Sequence, residues 1–103
     1  MKANKRAITV PLEVARLSHQ VLELAVDLVN RGNPNSVSDI GVAGEVAYAG
    51  VRGGSLNIYI NLPTVDSDPK FILKVKKEVD LLLQQATSLR DKIFTDSLKI
   101  INK

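Results

Sequence analysis

The chain has 103 residues, 14 Lys and Arg against 11 Asp and Glu, 45% hydrophobic and 4% aromatic residues, a single histidine (His19) and neither Cys nor Trp. That length allows one small domain, and the missing cysteines exclude thiolate chemistry, disulfides and any zinc site needing two or more His or Cys ligands. The net charge of +3 does not point to nucleic acid: Lys74, Lys76 and Lys77 form the one basic cluster, with no interleaved aromatic on which a base could stack.

The start, Met1-Lys2-Ala3-Asn4-Lys5-Arg6, superficially looks like a secretion signal, but Pro11 and Glu13 interrupt the apolar run that follows. The longest uncharged stretch, Gly53 to Val65, has 13 residues, short of the roughly 18 a membrane span needs. A cytoplasmic protein without membrane contact is expected. Val10, Val14, Leu17, Val21, Leu24 and Leu28 then recur at alternating steps of four and three, which is helical spacing. Thr9 is the expected cap and Gly32 the expected stop. A second stripe, Ala15, Leu22, Ala25 and Val29, lies about 100° around the same helix, so this helix must be covered on more than one side.

Gly32-Asn33-Pro34-Asn35 reads as a turn, with Asn33 in ordinary turn chemistry. The middle segment is ambiguous. Ser36-Val37-Ser38-Asp39 resembles a capping box, and Asp39, Ala43, Ala47, Gly50, Gly54, Asn57 and Asn61 share one helical stripe. Yet Leu56, Ile58, Ile60 and Leu62 alternate with Asn57, Tyr59 and Asn61, the period of a half-buried strand. If it is a helix, Gly41, Gly44, Gly50, Gly53 and Gly54 each cost about 1 kcal/mol relative to alanine. Close approach of another backbone, or a flat ligand on the smooth face, could offset that cost.

After Pro63 through Pro69, Asp68-Pro69 is a capping residue followed by proline at the first helical position. Ile72, Val75, Val79, Leu82, Ala86, Leu89 and Ile93 follow at steps of three and four. A helix from Pro69 to about Ile101 is roughly 50 Å long, whereas a compact globule of this size is about 34 Å across. A partner chain is expected to cover the excess seam.

Neither GxxxxGK[ST] nor GxGxxG occurs, which removes the best evidence for nucleotide chemistry. Three motifs do carry a resemblance. Val10-Pro11-Leu12-Glu13-Val14-Ala15, Gly32-Asn33-Pro34-Asn35-Ser36-Val37-Ser38-Asp39-Ile40-Gly41-Val42-Ala43 and Gly50-Val51-Arg52-Gly53-Gly54-Ser55-Leu56-Asn57-Ile58-Tyr59-Ile60-Asn61-Leu62 together resemble the carboxy-terminal half of the formimino-tetrahydrofolate cyclodeaminase and methenyl-tetrahydrofolate cyclohydrolase family. The likeness runs from Ala7 through nearly the whole chain.

The resemblance implies an all-α fold, three long helices forming a partial bundle completed by oligomerisation, and so decides the middle segment in favour of a helix. It implies a homodimer or higher homo-oligomer, no cofactor, and a tetrahydrofolate derivative as substrate between helices and subunits. In the cyclodeaminase one folate nitrogen attacks the formimino carbon, ammonia leaves and the methenyl bridge closes. In the cyclohydrolase water attacks the methenyl carbon and a formyl folate results. Family members are longer, and their first half holds a glycine-rich GGGS-type motif and the aspartate believed to act as acid/base. No residue here matches either element, so no catalytic residue is assigned, and a separately encoded first half is the expected further partner.

Four residues are candidates for ligand binding. Asp39 could fix a ring nitrogen or simply favour its helix dipole from the first turn. Arg52, the sole cation in residues 36–66, could grip a folate carboxylate through a bidentate fork, or pair with Glu45 or Asp39. Asn57 and Asn61 are expected as buried amides, which need partners in protein or pterin. His19, Tyr48 and Tyr59 are expected to be packing residues, and no metal site is expected.

Overall fold

In the computed structural model, residues 2–103 are described in backbone and 5–103 in side chain; the side chains of the charged start before Lys5 lie outside the described residues. Three helices follow one another: α1 (Lys2–Arg31), α2 (Val37–Asn61) and α3 (Pro69–Ile101), with short 3-10 turns at Pro34–Ser36 and Leu62–Val65. There is no strand among the described residues, so the fold is all-α and the alternation from Leu56 to Leu62 is not a sheet signal. Ile58 and Leu62 face the core, while Leu56 and Ile60 stand in solvent.

α1 begins at Lys2 and runs straight through Thr9, so Thr9 is not a cap. The extra turns form because Ile8 is fully buried and Lys5 Nζ donates to Asp68 Oδ2 at 2.7 Å at the start of α3. These are tertiary contacts that a local pattern does not register. Pro11 therefore lies inside the helix, where it leaves the Ala7 carbonyl without its usual i+4 donor. Gly32 does follow the last helical residue, and Pro34 opens the next turn. Asn33 caps that turn, its Oδ1 accepting from Asn35 N at 2.9 Å. Ser36 precedes α2 but makes no side-chain cap hydrogen bond, so the expected capping box is not formed. Asp68 caps α3 as expected, accepting from Phe71 N at 3.2 Å.

The core consists of the second stripe of α1, extended by Ile8 and Leu12, packed on Ala47, Val51 and Ile58 of α2 and Val75, Val79, Leu82, Ala86 and Ile93 of α3. The more prominent stripe of α1, Val10 to Leu28, is exposed along its whole length. The α3 seam, expected to need a partner, is instead covered within the chain. All three helices run side by side, and the molecule is a rod of 55 × 19 × 17 Å with a radius of gyration of 16.1 Å. It exceeds the roughly 13 Å of a compact domain, so the rod is as long as the seam it must bury.

Four of the five α2 glycines sit where another helix comes close. A Cβ at Gly50 would fall on the Ser18 hydroxyl, and one at Gly54 would lie 2.8 Å from the Pro11 carbonyl oxygen. At Gly44 it would meet Ile93 at 3.0 Å, and at Gly41 the Ser97 hydroxyl at 3.3 Å. Only Gly53 opens onto free space, with nothing within 4 Å. Most of the glycine cost is thus offset by close helix contact rather than by a ligand.

Polar ties divide unevenly. α1 is bound to α3 by Lys5–Asp68, by a two-pronged Arg16–Glu78 pair (Nη2 to Oε1, 2.7 Å) and by Asn30 donating to Asp96 at 3.3 Å. α2 is bound to α3 by Arg90–Glu45 at 2.8 Å, by Tyr59 donating to Asp80 at 2.9 Å, and by Tyr48 and Thr87 hydroxyls at 3.3 Å. Between α1 and α2 no side-chain hydrogen bond or ion pair occurs among the described residues. Those two helices meet through glycine and aliphatic groups and through the Ser18 side chain, which lies against Gly50.

Candidate functional site

A cleft of about 730 Å³ runs between the first half of α1 and the second half of α2, within the range of small-molecule sites. Val10, Pro11 and Val14 form one wall, with Ala7 and Arg6 above them. Gly50, Gly53 and Gly54 form the floor, and Asn57 and Asn61 line the far end. The floor is smooth because the same glycines that let α1 approach also present backbone instead of side chain. The proline in the wall leaves the Ala7 carbonyl as a spare acceptor at the rim.

The four candidates separate into two pairs. Asn57 and Asn61 both line the cleft. They are not the buried amides expected: Asn57 is exposed, and half-buried Asn61 donates from Nδ2 to the Asn57 carbonyl oxygen at 2.8 Å. Among the described residues the Asn57 carboxamide makes no hydrogen bond, which leaves both its donor and its acceptor available to a ligand edge. Asp39 and Arg52 do not line the cleft. Asp39 is exposed in the first turn of α2, about 27 Å along the helix from Asn57. Arg52 lies over the Tyr48 ring, 5.7 Å from its centroid, a cation–π contact. Its expected partner Glu45 is taken by Arg90.

Arg6 is the charged residue of the cleft that sequence reasoning missed. Starting the helix at Thr9 hid it; a helix continued back through Ala7 and Ala3 would have placed Arg6 one turn before Val10. No Asp, Glu or His is among the cleft-lining residues, so no lining side chain can exchange a proton near neutral pH.

A second, polar cleft of about 430 Å³ lies between α1 and α3, lined by His19, Glu23, Gln84, Gln85, Ser88 and Leu89. His19 Nδ1 is 3.3 Å from Glu23 Oε1, while its buried Nε2 has no partner. Tyr59, held by Asp80, has its phenol pushed upward, first by desolvation and then by the hydrogen bond to that carboxylate. Among the described residues no group of three or more His, Asp or Glu side chains could hold a metal ion, and no helix is long and apolar enough to cross a membrane.

Residues 1–81 match the family model described as formiminotransferase-cyclodeaminase. The chain is 40% identical over 93 residues to a Methylorubrum extorquens protein named methenyltetrahydrofolate cyclohydrolase, a match covering 90% of this chain and 44% of that protein. It is 33% identical over 82 residues to the formimidoyltransferase-cyclodeaminases of Rattus norvegicus and Mus musculus, covering 80% of this chain and 15% of each relative. The chain thus spans less than half the length of the curated relatives it matches.

Proposed function

This chain belongs to the formiminotransferase-cyclodeaminase family, and from that premise we propose that it supplies the folate-binding half of a methenyl-tetrahydrofolate cyclohydrolase of one-carbon metabolism. The observation that carries the reading is the α1–α2 cleft, whose composition suits a flat, mostly apolar bicycle with a hydrogen-bonding edge. Its aliphatic wall and glycine floor accept the ring faces, and the free Asn57 carboxamide and the Ala7 carbonyl accept the polar edge. Arg6 suits a tail carboxylate through its guanidinium fork, the role first considered for Arg52.

In this reaction water adds to the methenyl carbon, one carbon–nitrogen bond of the bridge breaks, and a formyl folate and a proton leave. A group must accept that proton. None of the lining residues has a titratable side chain suited to it, so this chain's part is to bind and orient the folate, and the acid/base group comes from the first half that the longer relatives carry. Identity to the cyclohydrolase is higher and longer than to the cyclodeaminases, which favours hydrolysis over ammonia release. The cyclodeaminase reaction is the alternative, with 5,10-methenyl-tetrahydrofolate as its product. The absence of an acid/base group from the cleft also favours a second reading, a non-catalytic self-associating half-domain.

The test is titration of 5,10-methenyl-tetrahydrofolate into the purified chain, wild type and Gly53→Leu, with and without a co-expressed glycine-rich half. Gly53 faces open space in the floor, so leucine fills the cleft without disturbing the helices. The expected result is binding that Gly53→Leu weakens at least tenfold, about 1.4 kcal/mol, and loss of the methenyl group only with both halves present. Wild-type binding that Gly53→Leu leaves unchanged would displace the site from this cleft. No binding in any combination would leave the half-domain.

A further inference from the structure

We infer that Pro11 sets ligand selectivity in the α1–α2 cleft: by withholding a backbone N–H it keeps the Ala7 carbonyl open to an N–H on the edge of the bound ring. The inference rests on the folate reading of this cleft and deepens it by naming the edge that is read. Proline is the residue a helix interior tolerates least, and it is at home only in the first turn, where its N–H would be unpaired in any case. Pro11 stands beyond that turn, with residues 2–10 preceding it in α1.

Packing does not account for the choice. The closest approach of α2 at this point is to the Pro11 carbonyl oxygen, 2.8 Å from where a Cβ on Gly54 would lie, and every residue type carries that oxygen. The ring itself is half-buried and forms part of the cleft wall, a surface that valine would also supply while keeping its N–H. What proline alone contributes is a missing donor and a ring that crowds the carbonyl four residues back. That carbonyl belongs to Ala7, which lines the same cleft because residues four apart share a helix face.

The two helices place this acceptor beside the Asn57 carboxamide. Ser18 lies against Gly50 and Pro11 against Gly54, so α1 and α2 run antiparallel here and the turn of Ala7 stands across from the turn of α2 that carries Asn57. Asn57 can both donate and accept, whereas a backbone carbonyl oxygen only accepts. Together they match an edge with N–H donors beside a carbonyl acceptor, which in a folate is the 2-amino-4-oxo edge of the pterin. The 2-amino N–H donates to the Ala7 oxygen, and the 4-oxo oxygen accepts from the Asn57 amide. No Asp or Glu is among the lining residues, so an uncharged backbone oxygen takes the place a carboxylate would fill. A ring without the amino group leaves that oxygen unpaired, and polar sites draw their selectivity from such a penalty.

The test compares wild type with Pro11→Val, which returns an N–H to the Ala7 carbonyl and keeps a branched apolar wall. Both are titrated with 5,10-methenyl-tetrahydrofolate and with its analogue carrying hydrogen in place of the 2-amino group, with and without the co-expressed glycine-rich half. Thermal unfolding by circular dichroism runs alongside. Pro11→Val is expected to melt at least about 4 °C higher, since it gains helix propensity and a hydrogen bond, and yet to bind methenyl-folate at least tenfold more weakly. Toward the analogue the two proteins are expected to bind alike, because the group that Ala7 receives is gone. Gly53→Leu, which fills the open floor, is expected to weaken both ligands. Equal affinity of wild type and Pro11→Val for methenyl-folate, with Gly53→Leu still weaker, overturns the inference and leaves the folate reading standing. An equal loss of both ligands in Pro11→Val also overturns it, by giving the proline a role in wall shape alone. A melting temperature that falls together with affinity does the same, by making Pro11 a packing residue. A wild type that binds neither ligand in either combination removes the folate reading and this inference with it.

Discussion

Gly53 and Gly54 are neighbours on α2 with opposite surroundings, and alanine at each should move stability in opposite directions. Both replacements recover about 1 kcal/mol of helix propensity. At Gly53 the new methyl meets nothing within 4 Å, so Gly53→Ala should stabilise the chain by roughly that amount. At Gly54 the Cβ would sit 2.8 Å from the Pro11 carbonyl oxygen and 3.3 Å from the Ala15 methyl. The oxygen is backbone and cannot rotate away, so α1 must retreat by about half an ångström along a contact that is otherwise well packed. Overpacking of that kind costs about 1–3 kcal/mol, which cancels the propensity gain or exceeds it. Because propensity is common to both variants, their difference isolates the helix contact and should be about 1–3 kcal/mol. Urea unfolding followed by circular dichroism, at one protein concentration for all samples, measures it; in thermal melts it corresponds to at least about 4 °C between the variants. Equal stability of Gly53→Ala and Gly54→Ala would refute the claim that close approach at Gly54 sets the α1–α2 distance.

Other outcomes follow from the ties to α3. The Arg16 hydrogen bonds hold the Glu78 carboxyl below its ordinary range against an opposing desolvation effect; a depressed folded value means stabilisation present above the unfolded carboxylate pKa and lost as pH falls through the folded one. Glu78→Gln should therefore cost about 0.2–1 kcal/mol near neutrality, with wild type and variant converging in acid, as paired urea titrations across pH would read. Asp68 both caps α3 and accepts from Lys5, so Asp68→Ala should lower the melting temperature more than Asp68→Asn, which keeps a capping oxygen; equal losses would assign the effect to the ion pair alone. Ile58→Ala removes a fully buried side chain and should cost about 2–5 kcal/mol in the same urea assay.

The third helix was legible to the residue, because its cap, its proline and its stripe are local signals that agree. α2 was not legible from pattern alone: residues 56–62 carry both periods, and the partners that excuse its glycines lie on other helices. The start of α1 was missed because Lys5 finds its partner, Asp68, 63 residues away at the opening of α3, and Ile8 is buried by tertiary packing. Of the α1 stripes, the larger residues drew attention and the smaller ones form the core. Side-chain size marked the surface left open, whereas Ala15 marked where α1 comes close to Gly54 of α2. The cleft was half visible: Asn57 and Asn61 were found through their shared stripe, while Arg6 was hidden by the misplaced helix start.

The uneven distribution of polar ties gives the rod a preferred place to come apart. Asp68, Glu78 and Asp96 all have carboxyls held below their usual range by hydrogen bonds from Lys5, Arg16 and Lys92 respectively, and Asp68 and Glu78 stitch α3 to α1. Strong acid unpicks these stitches together, whereas the seam of glycine, methyl and Ser18 groups joining α1 to α2 has no proton to gain. Lowering the pH should thus loosen α3 against α1 first, so that amides of α3 lose more protection in acid than those of the α1–α2 pair.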